Sequence, residues 1–227
     1  MNTRGAPSPV DSANPLLEVR GLGLSLPDLP NKPFFGAAPR KRILHNVGFT
    51  LHAGGTLGVI GESGSGKSTL ARALTMLMPP QTGEVLFQGR EVGAFTPQEL
   101  VAYRSQVQLI FQDPMSSLNP RRRVGAIVTQ PLRALGRVAG ADDATRQAVA
   151  LLERVGLSAQ LVGRYPHELS GGQRQRLGIA RALALQPMAL IADEVTSGLD
   201  VSAQARIVAL LDELRCDKGL ALIFISH

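Results

Sequence analysis

Apolar residues along this chain recur with two periods, and the switches between them mark out its elements. The segment "LLEVRGLGLSL", entered at about Leu17, reads as a strand, as do "ILHNVGFTL" and "TLGVIG", with a Pro-rich basic loop "PDLPNKPFFGAAPRKR" before the second. After Lys67 the spacing changes: Leu70, Leu74, Leu77 and Met78 recur as on one face of a helix, which Pro79-Pro80 should close. Thr96, Pro97 and Glu99 form an N-cap, a first helical position and a capping box, so a second helix starts there, and "QVQLIFQ" follows as a buried strand. Residues 124–161 are rich in Ala, Leu and Arg, broken at Gly136 and Gly140, and predict several helices without intervening strands. The chain then alternates: helix in "GGQRQRLGIARALAL", strand in "MALIAD", helix in "SAQARIVALLDELR", strand in "LALIFIS". This order predicts an α/β fold with a mainly parallel core sheet, an N-terminal β layer and an inserted helical subdomain. No internal repeat is visible.

Composition narrows the class without changing that picture. With 227 residues, 44% hydrophobic, the chain can bury a core for one large domain or a domain with a subdomain. Its apolar runs are far shorter than the roughly 20 residues that span a bilayer. The first sixteen residues, "MNTRGAPSPVDSANPL", lack the apolar centre of a secretory signal and read as a flexible tail. A single cysteine, Cys216, rules out an internal disulfide and fits a reducing compartment. The net charge of +6 is scattered, with short clusters at residues 40–42 and 121–123, and there is no Trp and only two Tyr for base stacking. Direct nucleic-acid binding is therefore not expected.

The candidate chemistry begins at "GVIGESGSGKSTL". Gly61, four residues, then Gly66-Lys67-Ser68 is the phosphate-binding loop pattern, set between a strand and a helix. Glycines let consecutive backbone N–H groups converge on phosphate oxygens, Lys67 supplies a point charge for the β- and γ-phosphates, and Ser68 offers a hydroxyl to Mg²⁺. Residues Gly61, Glu62, Ser63, Gly64, Ser65, Gly66, Lys67, Ser68 and Thr69 thus form a nucleoside triphosphate site. Further on, Asp193 and Glu194 end an apolar strand, at the edge where α/β sheets bind ligands. A buried carboxylate there needs a cation, and Mg²⁺ on the triphosphate supplies one. Asp193 is the candidate metal ligand, and Glu194 the candidate base that orients and deprotonates an attacking water.

A third stretch, "ELSGGQRQRLGIARAL", has Ser170 as a helix cap and Gln173 completing a capping box. Two glycines in the first turn cost about 1 kcal/mol each relative to alanine, which a cap alone does not explain. Gly171 and Gly172 offer open backbone N–H groups at a positive helix end, a second anion-binding surface.

Taken together, "LSGGQ", residues 61–69, Gln112, Asp193-Glu194 and "SGLD" resemble the ATP-binding cassette (ABC) transporter ATPase subunits over nearly the whole chain, residues 17–227. The resemblance implies a P-loop cassette whose helical subdomain lies at about 113–166. It further implies that two cassettes face head to tail, so that Ser170, Gly171, Gly172 and Gln173 of one close over ATP held by Lys67 of the other. Gln112 would touch Mg²⁺ and the lytic water, Asp200 would lie across the dimer interface, and His227 would contact the γ-phosphate as the switch residue. The segments "LIFQDPMSSLNPRRRVG" and "YPHELSGGQRQRLGIARAL" are similar to the oligopeptide, dipeptide and nickel importer branch, in wording closest to the second of its two ATPase subunits. That branch implies an ATPase subunit on the cytoplasmic face of the cell membrane. It would pair with a homologous subunit, dock by its helical subdomain on permease subunits and depend indirectly on an extracytoplasmic solute-binding protein. Two other readings stand beside it: a non-transport ABC ATPase acting on nucleic acid or ribosomes, and an ATP-binding chain without turnover.

The sequence also departs from the family pattern. Leu26 stands by position where an aromatic residue usually stacks on adenine; Phe34 or Phe35 would substitute only if the Pro-rich loop folds back. Val195 replaces a proline after Glu194, and Gly198 replaces a common alanine. The family continues beyond its histidine with further strand and helix, so a chain ending at His227 is expected to be a truncated form.

Overall fold

The computed structural model describes residues 14–28, 36–113 and 117–226, apart from the side chain of Lys218. The tail up to residue 13, Phe34, Phe35 and His227 lie outside the described residues. Two four-stranded sheets carry the fold. The first is antiparallel, in the order β2-β1-β4-β5, from β1 (Leu17–Pro27), β2 (Arg40–Leu51), β4 (Thr82–Phe87) and β5 (Arg90–Glu91). The second is parallel, in the order β3-β8-β7-β6, from β3 (Thr56–Ile60), β6 (Val107–Ile110), β7 (Ala189–Asp193) and β8 (Ala221–Ser226). The expected α/β class with an antiparallel N-terminal layer is thus what the chain adopts.

The central strands read as continuous apolar runs because both faces are covered. Along β7, Leu190 and Ala192 pack into one core with the helices, while Ala189 and Ile191 pack into a second core against the antiparallel sheet. All five β7 residues are buried. The second core is closed by α1 (Lys67–Leu74) and α2 (Pro97–Gln106). There Tyr103 is fully buried, meets Phe87 and Phe95 edge to face, and donates its hydroxyl to the Leu74 carbonyl. Between β6 and β7 the chain forms α3 (Val124–Val128), α4 (Gln130–Ala134) and α5 (Ala141–Arg154), then α6 (Gly171–Leu183); α7 (Val201–Lys218) joins β7 to β8. Gly136 and Gly140 adopt positive φ of 65° and 146° in the connection from α4 to α5.

One local expectation needs correction. α1 ends at Leu74, well before Pro79. The Thr75 hydroxyl bonds back to the Ala71 and Arg72 carbonyls, Met76 takes a left-handed φ of 56°, and the Leu77 and Met78 amides both donate to Arg72. This closure uses up the last carbonyls and leaves Leu77 half exposed. The β4–β5 hairpin is an addition to the sequence reading. Its turn is Gln88-Gly89, with φ of 50° and 78°, the paired left-handed conformation that tight hairpins need.

Candidate functional site

The parallel sheet brings the candidate residues together because its strands end level. Ile60 pairs with Ser226, Asp193 with Ile225 and Ile110 with Ala192. Each strand therefore releases its loop at one edge: the glycine-rich loop after β3, Gln112 after β6 and Glu194 after β7. The Glu194 amide donates to the Ile225 carbonyl at 3.0 Å, fixing the acidic turn to the neighbouring strand.

The glycine-rich loop wraps tightly. Gly64 and Gly66 adopt φ of 80° and 100°. A Cβ on Gly66 would lie 3.0 Å from Ile43 Cγ2 and 3.1 Å from the Ile43 carbonyl oxygen, so both the dihedral and the close strand β2 require glycine. α1 starts at Lys67 with no side-chain cap on its first turn, so its N-terminal amides are left for an anion. Lys67 Nζ folds back to donate to the Gly61 carbonyl at 2.7 Å and the Glu62 carbonyl at 2.9 Å. It also lies 3.6 Å from Glu194 Oε1, with both side chains only 6% exposed. Gln112 Nε2 donates to the other Glu194 oxygen at 2.5 Å. Lysine from the start of α1, and glutamine and glutamate from the loops after β6 and β7, thus form one cluster. Glu194 holds its place with a left-handed φ of 48°, a conformation rare outside glycine and a mark of local strain.

Asp193 is buried one residue before it with the Ser68 side chain beside it, and its Oδ1 is buried with no partner. Burial pushes the Asp193 carboxyl above the usual carboxylate range; Ser68, Arg72 and Lys67 only partly offset this. Among the described residues no group of three or more His, Cys, Asp or Glu could hold a metal alone. An orphaned carboxylate oxygen beside a serine hydroxyl at a phosphate loop fits Mg²⁺, which binds through one or two protein oxygens plus phosphates. The sign of the shift gives a prediction. The folded chain keeps this proton to higher pH than the unfolded chain, so Asp193 contributes stability below the unfolded carboxyl pKa of about 3.9 and loses it as pH rises through the raised value. Without ligand, Asp193→Asn should raise the melting midpoint at pH 7 by about 2 °C. The gain should vanish near pH 3.5; thermal melts at both pH values check this, and a lowered midpoint at pH 7 contradicts it.

The glycine-rich α6 terminus stands apart from this cluster. Ser170 caps it in a capping box: Gln173 N donates to Ser170 Oγ at 3.3 Å, and Ser170 N to Gln173 Oε1 at 2.9 Å. A Cβ on Gly171 would come no closer than 3.6 Å to Leu199 Cδ2, and one on Gly172 no closer than 3.7 Å to Ala203 Cβ. Neither glycine is required by the chain's own packing. Asp200 has a local role that sequence reasoning missed. It caps α7, accepting from Ala203 N at 2.9 Å and Ser202 Oγ at 2.6 Å, and these bonds hold its carboxyl below the usual range. An Asp followed by a helical run was the available signal. Leu26 lies opposite Lys41 and packs, half buried, against the second core.

A family described as ABC transporter matches residues 44–197. The oligopeptide transport ATP-binding protein OppF of Haemophilus influenzae is 46% identical over 213 residues, covering 93% of this chain and 64% of its own length. The probable peptide ABC transporter ATP-binding protein y4tS of Sinorhizobium fredii is 52% identical over 191 residues, 83% of this chain and 53% of its own. The glutathione import ATP-binding protein GsiA of Escherichia coli is 47% identical over 218 residues, 96% of this chain and 35% of its own. The chain thus spans between 35% and 64% of the length of these relatives. Among solved structures, the dimeric ATP-binding cassette MJ0796 in a post-hydrolysis state bound to ADP and Pi superposes with a TM-score of 0.78 at 27% identity, covering 93% of this chain and 88% of that one. The cbiO1 protein from Clostridium perfringens, part of an ABC transporter complex, gives 0.75 at 26% identity over 94% and 79%. With the family match covering more than half of its residues and relatives close to half identical, the chain belongs to the ABC transporter family.

Proposed function

We propose that this chain is the ATP-hydrolysing subunit of an ABC importer for peptides or similar small solutes. It would work at the cytoplasmic face of the membrane as a dimer with a homologous cassette, moving permease subunits that receive solute from a binding protein. Among the described residues no helix is long and apolar enough to cross a membrane. The observation that carries the reading is the cluster in which buried Lys67 and Glu194 meet the exposed Gln112 beside buried Asp193, which gathers the groups phosphoryl transfer needs at one sheet edge.

In this reading the residue 61–69 loop cradles the triphosphate with its backbone N–H groups, and Lys67 exchanges its carbonyl and Glu194 contacts for phosphate oxygens. Ser68, Asp193 and Gln112 would hold Mg²⁺, which would offset charge on the phosphates. Glu194, freed from Lys67 and oriented by Gln112, takes a proton from water as the water oxygen bonds to the γ-phosphorus and the bond to the ADP oxygen breaks. His227 contacts the γ-phosphate. Charge on the far side is met by the Gly171 and Gly172 amides of the partner cassette, with Ser170 and Gln173 holding that helix end and Asp200 at the interface.

The glycines give the test. Because an added methyl meets nothing closer than 3.6 Å within the chain, Gly171→Ala should leave the melting midpoint equal or slightly higher. It should nevertheless lower ATP turnover about 100-fold by crowding the partner's nucleotide. Unchanged turnover in the folded variant would remove the second anion surface from the account.

A further inference from the structure

Gln175 lies in α6, one turn beyond its cap, and is 3% exposed; its Nε2 is buried without a hydrogen-bond partner. The function proposed above does not use it. An unpaired buried amide donor costs free energy that a leucine of similar size would avoid, so packing alone does not explain a glutamine here. Its place on the helix does.

Residues three and four apart share a helix face. Gly171 and Gly172, on that face toward the cap, look onto Leu199 and Ala203; Gly178, on the other side, looks onto Ile110. Gln175 therefore shares its helix face with Gly171, which looks onto Leu199 at the end of the loop after Glu194, and with Gly178, which looks onto Ile110 at the end of β6. Val195 and Leu199 of that loop belong to the same core as α6. The loop is held at both ends, with Glu194 N donating to the Ile225 carbonyl and Gln204 Nε2 donating to the Leu199 carbonyl, each at 3.0 Å. Ser197 N donates to the Glu194 carbonyl at 3.0 Å, Leu199 N reaches Thr196 only at 3.4 Å, and the loop starts from the left-handed Glu194. In this state the Glu194 carboxylate lies 3.6 Å from Lys67 Nζ, the contact that Lys67 gives up for a triphosphate in the reading above.

We propose that Gln175 is a positioning residue: its buried amide takes a main-chain carbonyl of the 194–199 loop once nucleotide separates Lys67 from Glu194, tying the signature helix to the catalytic carboxylate. This rests on the functional reading above. It makes the two phosphate surfaces of one chain mechanically linked, so that engagement of the signature end by a partner's nucleotide steadies Glu194 in its own site.

The test compares wild type with Gln175→Leu and Gln175→Met, which keep the volume and remove the donor. Three readouts are needed: the ligand-free melting midpoint, steady-state kcat and KM for Mg-ATP, and hydrogen exchange of the 194–199 amides with and without Mg-ATP. The expected result is a midpoint equal to or above wild type, KM within about twofold, kcat lowered about tenfold, and loss of the Mg-ATP-induced protection of 194–199 that wild type shows. A glutamine that only packs would give a lowered midpoint with unchanged kcat and retained protection, and that result from either variant overturns the proposal. A wild-type chain that neither binds nor hydrolyses Mg-ATP overturns the functional reading, and the proposal with it. Normal wild-type turnover matched by the variants overturns the proposal alone.

Discussion

Glu194→Gln is expected to lower ATP turnover by at least about 100-fold while Mg-ATP stays bound, and bound more tightly than by wild type. The loss follows from chemistry: an amide cannot take the proton of the attacking water. The gain in affinity follows from the geometry of the resting site, where Lys67 Nζ stands 3.6 Å from a carboxylate buried as deeply as itself. Phosphate must compete with that carboxylate for the lysine, and a neutral amide competes less. Because the replacement has the same shape and can still accept from Gln112, the left-handed turn and the Ile225 contact need not move. Steady-state hydrolysis and equilibrium binding of labelled ATP measure the two effects separately. Normal hydrolysis would remove Glu194 from its role, and weakened binding would show that the resting contact with Lys67 does not oppose nucleotide.

Lys67→Ala should have the largest combined effect. Nucleotide affinity should fall more than about 100-fold, because the buried cation beside Glu194 is gone. The ligand-free chain should also lose about 3 kcal/mol of stability, since removing one partner of a buried pair strands the other charge. The carbonyls of Gly61 and Glu62 lose their donor as well. The double variant Lys67→Ala with Glu194→Gln separates these effects. It should recover most of the stability, since no buried charge is stranded, and none of the affinity. Denaturant unfolding of the four proteins in the cycle measures the coupling; additive losses would show that the 3.6 Å contact carries no energy.

These predictions join features that the sequence displays to features that it hides. Local chemistry is legible where one segment contains its whole reason. Thr96, Pro97 and Glu99 announce a capping box that the structure forms, with Thr96 accepting from Glu99 N. The alternation of apolar strands and helices points to the parallel sheet, because strands buried on both faces must be continuously apolar. The end of α1 is not legible: Pro79-Pro80 marks a stop, but the earlier closure depends on Thr75 bonding backwards and Met76 turning left-handed. The β4–β5 hairpin escapes the sequence reading although Gln88-Gly89 carries a turn signal, because a two-residue strand shows no period.

The site divides in the same way. The types and spacing of Gly61, Gly66, Lys67 and Ser68 point to phosphate on their own, since backbone curvature and one cation are all that such a loop requires. What spacing cannot show is that Lys67 rests against Glu194, more than 120 positions away, or that Gln112 steadies the same carboxylate. Those contacts come from strand order: β8 lies between β3 and β7, while β6 brings Gln112 to the far side of β7. The orphaned Asp193 oxygen and the Gln175 amide are equally hidden, because an unsatisfied group can be recognised only once its neighbours are placed.

In the proposed dimer the Lys67 loop of one cassette and the Ser170–Gln173 helix end of the other, a second copy of this chain or a homologous cassette, meet around one nucleotide. Size-exclusion chromatography with light scattering of the Glu194→Gln chain, with and without Mg-ATP, tests this, because that variant is expected to retain nucleotide without consuming it. The account predicts a monomer that becomes a dimer with Mg-ATP, and stays a monomer with Mg-ATP when Gly171→Ala is added. A chain that binds Mg-ATP yet remains monomeric both alone and with a homologous cassette added, or that dimerises equally well with Gly171→Ala, would contradict it.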